Sequence, residues 1–207
     1  MPRLVTFGCS FTYGAGLEDT YEFKPGPSVY AWPNITATEL NVECVNKGIP
    51  GIGNKEILHH IQSFEFQKDD IVCILWTYQN RWCILKQDDD KIVRFISRAT
   101  TKLAKFYFQM MHDPYDIWLD SFTRMNFAKL YLDHKGITNL HFAINSNLNE
   151  KIPNWSLVNF ENIYMDDYRF KHPLGLDDAH PGELAHREFG MDVANIINRI
   201  SVVDNQQ

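Results

Sequence analysis

The segment Leu4-Val5-Thr6-Phe7-Gly8-Cys9-Ser10-Phe11-Thr12 is an apolar run that stops at a glycine and is followed closely by a serine. Its Leu, Val and Phe content is typical of a buried strand over residues 3–8, and the glycine marks the turn that ends this strand. The segment therefore predicts a first strand that brings Ser10 to one edge of a sheet.

The rest of the chain alternates short apolar runs with longer segments of helical period. Strands are predicted at residues 42–45, 71–76 and 140–144, and helices at 28–40, 54–66, 97–132 with a break at Asp113-Pro114, and 181–201. Residues 145–176 have no clear period and are predicted to form a loop. Strands that alternate with helices indicate a mostly parallel sheet covered by helices on both faces and joined by right-handed crossovers. We expect one α/β domain over residues 1–207, with a helical, aromatic insertion at about 97–134.

Three polar or glycine-rich segments follow three of the predicted strands directly. They are residues 8–10, 48–51 and 77–80. Ligands of open α/β sheets bind at the carboxyl ends of the strands, so these segments are expected to meet at one edge of the sheet.

An aspartate and a histidine lie three residues apart in Asp177-Asp178-Ala179-His180-Pro181. A serine hydroxyl needs a base within hydrogen-bond reach, and the base needs a carboxylate that orients it. Ser10, Asp177 and His180 together predict a nucleophilic triad in the chain order Ser, Asp, His. We favour Asp177 over Asp178 for its spacing, and Asp178 remains open as a solvated loop carboxylate or a helix-capping group.

Acyl transfer also needs hydrogen-bond donors for the oxyanion of the tetrahedral intermediate. The backbone N–H of Ser10 is one candidate. Gly51 is another, because a glycine lets the backbone approach a ligand closely. The alternative for Gly48, Gly51 and Gly53 is a plain turn that requires positive φ.

These motifs resemble the conserved blocks of the SGNH, or GDSL-type, hydrolases. Gly8-Cys9-Ser10-Phe11-Thr12 is similar to the first block, Asn46-Lys47-Gly48-Ile49-Pro50-Gly51 to the second with Gly51 at the oxyanion glycine, and Asp177-x-x-His180-Pro181 to the last. The resemblance implies a flavodoxin-like, three-layer α/β/α fold. It also implies esterase, lipase, deacetylase or acyl-transfer activity with Ser10, Asp177 and His180 as the triad.

The chain departs from the family pattern at two places. Cys9 replaces the aspartate that usually precedes the serine. The third block, normally Gly-x-Asn-Asp with an asparagine that donates to the oxyanion, is absent after Trp76, where the chain reads Thr77-Tyr78-Gln79-Asn80-Arg81. Asn80 could supply the missing amide and Arg81 could bind an anionic substrate group. Alternatively, Asn80 caps the next segment and Arg81 is a surface charge.

We therefore expect a carboxylic ester hydrolase that uses an acyl-serine intermediate, acting on short-chain or carbohydrate O-acyl esters. The alternatives are a non-catalytic binding or assembly module of the same fold and an O-acyltransferase with the same triad. The net charge of −6 argues against nucleic-acid binding. No membrane span is expected, because no apolar run is long enough to cross a bilayer. No metal is expected, because Asp177, His180 and His186 match no familiar zinc spacing, and the proposed chemistry needs no cofactor. The lack of a signal sequence predicts a cytoplasmic location.

Overall fold

The computed structural model describes residues 2–21, 25–85, 92–95, 101–110 and 113–204. The strands are β1 (Arg3–Gly8), β2 (Glu43–Gly48), β3 (Ile71–Trp76), β4 (Trp82–Leu85), β5 (Ile92–Phe95), β6 (Thr138–Ala143) and β7 (Phe160–Tyr164). The helices are α1 (Ser10–Tyr13), α2 (Glu18–Tyr21), α3 (Trp32–Leu40), α4 (Asn54–Gln62), α5 (Lys102–Met110), α6 (Pro114–His134), α7 (Met165–Lys171) and α8 (Glu183–Asp204), with a 3₁₀ helix at Ser146–Lys151.

Five strands form one parallel sheet in the order β2-β1-β3-β6-β7. Counted within this sheet alone, the order is 2-1-3-4-5, which is that of flavodoxin-like folds. The chain moves outward from β1 to β2 and then crosses back to β3. The carboxyl ends of β1 and β3 therefore flank the point where the strand order reverses, which is the usual ligand-binding crevice of such sheets.

Helices cover both faces of this sheet. Right-handed crossovers put α3, which joins β1 to β2, and α4, which joins β2 to β3, on opposite faces. Helix α3 packs against α8, and α4 packs against α6. The predicted three-layer α/β fold with a mostly parallel sheet is thus confirmed.

The core lies between the sheet and these two helix layers. Every residue of β3 from Val72 to Trp76 is buried, as expected for a central strand that is covered on both faces. The largest fully buried side chains are aromatic and come from the sheet and from both helix layers: Phe7, Trp32, Trp76, Phe122, Phe142 and Phe189.

A two-stranded antiparallel hairpin, β4–β5, stands outside the main sheet. Trp82 and Val93 of this hairpin pack against a small apolar cluster on α5. Arg94 of β5 donates two hydrogen bonds, of 2.6 and 2.9 Å, to the fully buried carboxylate of Glu56 on α4. This ion pair ties the hairpin to the main domain.

The helical segment that the sequence predicts at about 97–134 corresponds to α5 and α6. Residues 97–100 and 111–112 of that range lie outside the described residues. Asp113 caps α6 by accepting hydrogen bonds from the N–H groups of Tyr115 and Asp116. This cap gives the predicted break at Asp113-Pro114 its physical cause.

Two other predictions from the sequence were wrong. Residues 145–176 are not one loop, because they contain the edge strand β7 and the helix α7. The second strand also runs on to Gly48 instead of ending at Val45. Both strands lie at the edges of the sheet, where polar residues are tolerated and the apolar pattern is weak. Among the described residues, no helix is both long and apolar enough to cross a bilayer.

Candidate active site

The turn after β1 holds Ser10 at the carboxyl end of the sheet. Gly8 is required there, since a Cβ at this position would lie 2.1 Å from Thr12 Oγ1. Ser10 is the first residue of α1, so its backbone N–H has no acceptor within the helix. The side chain is only 4 % exposed, and its hydroxyl donates a long, weak hydrogen bond of 3.9 Å to Cys9 Sγ.

Asp177 and His180 form a compact unit in the loop before α8. The Asp177 carboxylate accepts a hydrogen bond from His180 Nδ1 through one oxygen. Its other oxygen accepts from the backbone N–H groups of Ala179 and His180, each at 3.0 Å. Burial pushes the pKa of Asp177 up, but the hydrogen bonds from His180 and Ala179 outweigh burial, so the pKa is lowered. The carboxylate therefore stays ionised and fixes the imidazole with Nε2 as the free nitrogen.

Two glycines bring this loop against the turn that carries Ser10. Gly16 has φ +84°, and a Cβ there would lie 2.7 Å from Asp177 Oδ1. A Cβ on Gly175 would lie 2.6 Å from the carbonyl oxygen of Gly16. The N–H of Leu176 donates to that same carbonyl at 2.7 Å. The two segments are thus joined through their main chains.

Ser10 and His180 line one cavity of about 570 Å³, together with residues from the loops after β2 and β3: Pro50, Gly51, Tyr78, Asn80 and Arg81. The Phe11 ring meets the imidazole edge-on, with 5.7 Å between ring centroids. Among the hydrogen bonds of the described residues, none joins the Ser10 hydroxyl to His180. Catalytic hydrogen bonds often close only when substrate binds.

Gly51 and Asn80 approach the cavity from two different loops. Gly51 has φ +79°, and a Cβ there would meet no atom within 4 Å, so the space beside its backbone is open. Asn80 is exposed, and no helix follows it, because the next element is the strand β4. Asn80 therefore does not cap a helix, and its amide is available to a ligand in the cavity.

A chain of polar contacts links the loop after β3 to the loop of His180. The Tyr78 hydroxyl donates to the buried Asp166 carboxylate at 3.0 Å, and Asp166 lies 3.6 Å from the Arg169 guanidinium. Arg169 Nε in turn donates to the carbonyl of Ala179 at 2.8 Å. Burial raises the pKa of Asp166, against the opposing effects of Tyr78 and Arg169.

The structure thus places Ser10, Gly51, Asn80 and His180 around one cavity and bonds Asp177 to the imidazole. Asp178 is exposed and lies at φ +54° in the turn, and its carboxylate takes no part in the hydrogen bonds between Asp177 and His180. Sequence reasoning missed Gly16, Gly175 and Arg169. The wrongly predicted loop at 145–176 concealed Arg169. Gly16 and Gly175 contact each other although they are far apart in the sequence, so no local sequence pattern indicates their role.

No metal site accompanies this arrangement in the described part of the chain, where no three His, Cys, Asp or Glu side chains are grouped to hold an ion. His186, the third residue of the zinc alternative, is fully buried on α8. Its Nδ1 accepts a hydrogen bond of 3.2 Å from the N–H of Trp32. His186 therefore packs in the interior instead of facing the cavity with His180.

Searches with the sequence found no matching protein-family profile and no matching curated protein. Solved structures do match. A protein assigned to the G-D-S-L lipolytic family from Desulfitobacterium hafniense DCB-2 has a TM-score of 0.53 at 13% identity, over 94% of this chain and 98% of that one. A lipase from a goat rumen metagenome has a TM-score of 0.53 at 14% identity, over 93% and 96%.

A third match is the acetyl xylan esterase Est2A from the rumen bacterium Butyrivibrio proteoclasticus. It has a TM-score of 0.57 at 15% identity and covers 97% of this chain. This chain spans only 64% of that longer protein. These matches extend over nearly the whole chain, and the chain has the fold of the SGNH, or G-D-S-L, lipolytic proteins and carbohydrate esterases.

Proposed function

We propose that the protein is a serine ester hydrolase that works through an acyl-Ser10 intermediate. The geometry of the triad carries the proposal. Ser10 and His180 line the same cavity, and His180 Nδ1 is hydrogen-bonded to the ionised carboxylate of Asp177, which leaves Nε2 free. Orientation of a histidine by a carboxylate beside a serine is the arrangement that activates a hydroxyl for acyl transfer.

In the acylation step, Ser10 Oγ attacks the ester carbonyl carbon while His180 Nε2 accepts the hydroxyl proton. The ester C–O bond then breaks, and the leaving oxygen takes that proton and departs as an alcohol. Water next attacks the acyl carbon and gives a proton to His180. The bond to Ser10 Oγ breaks, the serine oxygen recovers the proton, and the carboxylic acid leaves.

The oxyanion needs preorganised donors on the side of the carbonyl away from His180. We assign this role to the backbone N–H groups of Ser10 and Gly51 and to the side-chain amide of Asn80. The helix-terminal position of Ser10, the open space at Gly51 and the exposed amide of Asn80 support this assignment. Asn80 would replace the asparagine of the missing third block.

For the substrate we propose a short-chain acyl ester, with a carbohydrate as the alcohol part. A cavity of about 570 Å³ whose mostly apolar lining also carries Asn80, Arg81 and Arg169 suits a small polar ester better than a long lipid. The likeness to an acetyl xylan esterase points in the same direction.

Two observations favour a second candidate, a binding module without catalysis. The Ser10 hydroxyl donates to Cys9 Sγ instead of to His180, and the third sequence block is absent. If the hydroxyl kept that orientation with a ligand bound, the cavity would hold esters without cleaving them.

A fluorophosphonate probe and para-nitrophenyl acetate separate the two candidates. We expect Ser10 to be labelled, and we expect Ser10→Ala to lower ester hydrolysis by at least about 10³-fold. His180→Ala should abolish labelling. Ser63→Ala, which removes an exposed serine at the end of α4, is the matched control and should behave like the wild type. Equal background rates for wild type and Ser10→Ala would favour the binding module.

A further inference from the structure

Among the described residues, the lining of the cavity that holds Ser10 and His180 includes two guanidinium groups and no carboxylate. These guanidinium groups belong to Arg81 and Arg169, and the described residues that complete the lining, apart from His180, are uncharged. The chain as a whole carries a net charge of −6. Asp177 behind the imidazole and Asp166 beside Arg169 offset part of this local positive charge, but the two guanidinium groups are the charged groups that line the cavity itself, where field lines are focused.

Arg81 is half-buried and has no carboxylate to neutralise it among the described residues. Its guanidinium lies 5.4 Å from the centre of the Tyr78 ring and reaches only the carbonyl oxygen of Ile52, at 3.5 Å. A Cβ on Gly53 would lie 2.5 Å from the Arg81 carbonyl oxygen, so the backbone of Arg81 is packed closely against the loop after β2. The side chain is held at the cavity and is not a free surface charge.

Arg169 is only partly neutralised. Its nearest carboxylate oxygen, on Asp166, is 3.6 Å away, which is longer than a normal hydrogen bond. That carboxylate also accepts from the Tyr78 hydroxyl. Arg169 Nε donates a hydrogen bond to the carbonyl oxygen of Ala179. The Arg169 side chain lines the cavity and remains 23 % exposed.

We propose that the natural ester carries a negatively charged group, a carboxylate, sulfate or phosphate, that Arg81 binds with Arg169 beside it. The inference rests on the proposed esterase function and adds a charge requirement to its substrate. A guanidinium presents several N–H donors in a planar fork that matches the oxygens of such anions. Arg81 is partly desolvated and has no carboxylate partner among the described residues, so an anion bound beside it would satisfy both its charge and its free N–H groups.

Two matched pairs of esters test the proposal and show which side of the ester bears the charge. For the alcohol side, the pair is meta-acetoxybenzoate and its methyl ester. For the acyl side, the pair is mono-para-nitrophenyl adipate and its methyl ester. The measured quantity is the ratio of kcat/KM for the anionic ester to kcat/KM for its neutral partner, because this ratio does not depend on the general activity of a variant.

We expect the wild type to prefer the anionic member of at least one pair. Arg81→Gln should lower that ratio by about 10- to 100-fold, the usual worth of hydrogen bonds to a charged group, chiefly through KM. Arg81→Lys, which keeps the charge without the fork, should retain part of the preference. About 1 M NaCl should also reduce the ratio, since salt screens such attraction.

Arg199→Gln is the matched control, because it removes an exposed guanidinium that lies far from the cavity. Arg199 is about 24 Å along α8 from Glu183, the residue at the end of the helix next to His180. Its ratio should equal that of the wild type. Ratios near one in both pairs, or a preference that Arg81→Gln and salt leave unchanged, would overturn the charge requirement. Cleavage of the neutral esters that depends on Ser10 would still uphold the esterase itself, so the two failures are distinguishable.

Discussion

The two sides of the candidate active site are built in different ways. One side, which we name the closed side, consists of residues 10–16 and 174–180, and main-chain contacts join these two segments. The other, the open side, consists of residues 77–81, which direct the side chains of Asn80 and Arg81 toward the cavity without carboxylate partners among the described residues. The backbone thus fixes the groups proposed to react, whereas the groups proposed to bind the substrate are side chains. Changes on the closed side should affect kcat, and changes on the open side should affect mainly recognition.

The largest effect is expected at Asp177, on the closed side. Asp177→Asn keeps the shape of the side chain but removes the charge and the acceptor that orient His180, so kcat for para-nitrophenyl acetate should fall by about 10⁴-fold. Asp178→Asn is the control, because Asp178 is exposed and asparagine tolerates its φ of +54° equally well. Similar losses in both variants would contradict the assignment of the carboxylate.

Asn80 should be the exception on the open side. If its amide donates to the oxyanion, Asn80→Ala lowers kcat by about 10²–10³-fold with little change in KM. Gln79→Ala, at the neighbouring position in the same turn, should leave kcat near that of the wild type. A rise in KM without a fall in kcat would instead make Asn80 a residue of substrate binding. The open side would then affect recognition alone and the closed side kcat alone.

A smaller effect is expected at Gly16, which touches no substrate. In Gly16→Ala the added methyl group collides with Asp177 Oδ1, and displacement of the carboxylate should lower kcat by about 10- to 100-fold. Gly136→Ala is the control. This glycine also has positive φ, at +67°, but a Cβ there meets no atom within 4 Å.

Both glycine variants should lose about 1 kcal/mol of unfolding free energy through backbone strain, measured by urea denaturation. Only Gly16→Ala should also lose activity. Equal activity of the two variants would show that contact between the two segments of the closed side does not position the reacting groups.

Much of the sheet could be predicted because burial leaves a pattern in the sequence. The first and third strands, β1 and β3, were predicted at the residues where they lie, since both are interior strands with continuous apolar runs. The edge strands β2 and β7 were shortened or missed. In β2 the polar residues Asn46 and Lys47 looked like a turn, although they pair in register with Thr6 and Phe7 of β1.

The candidate site could be predicted where its parts are neighbours in the sequence. Asp177 and His180 lie within one four-residue turn, and Ser10 follows a strand, so local spacing was informative. Gly16 and Arg169 act through contacts with a distant loop, and nothing in their local sequence indicates such contacts. The hairpin β4–β5 was missed because each of its strands is only four residues long, and because the ion pair of Arg94 with Glu56 that joins it to the domain is again a contact with a distant segment.

The wide sequence separation of Ser10 and His180 has a consequence for how activity arises in time. Ser10 follows the first strand and His180 precedes the last helix, so the cavity is complete only when α8 has docked beside α3 on the same face of the sheet. Loops that span most of a chain are entropically costly and close late. Cleavage of an ester during renaturation would therefore mark the final stage of assembly, whereas the Asp177–His180 turn can form early on its own.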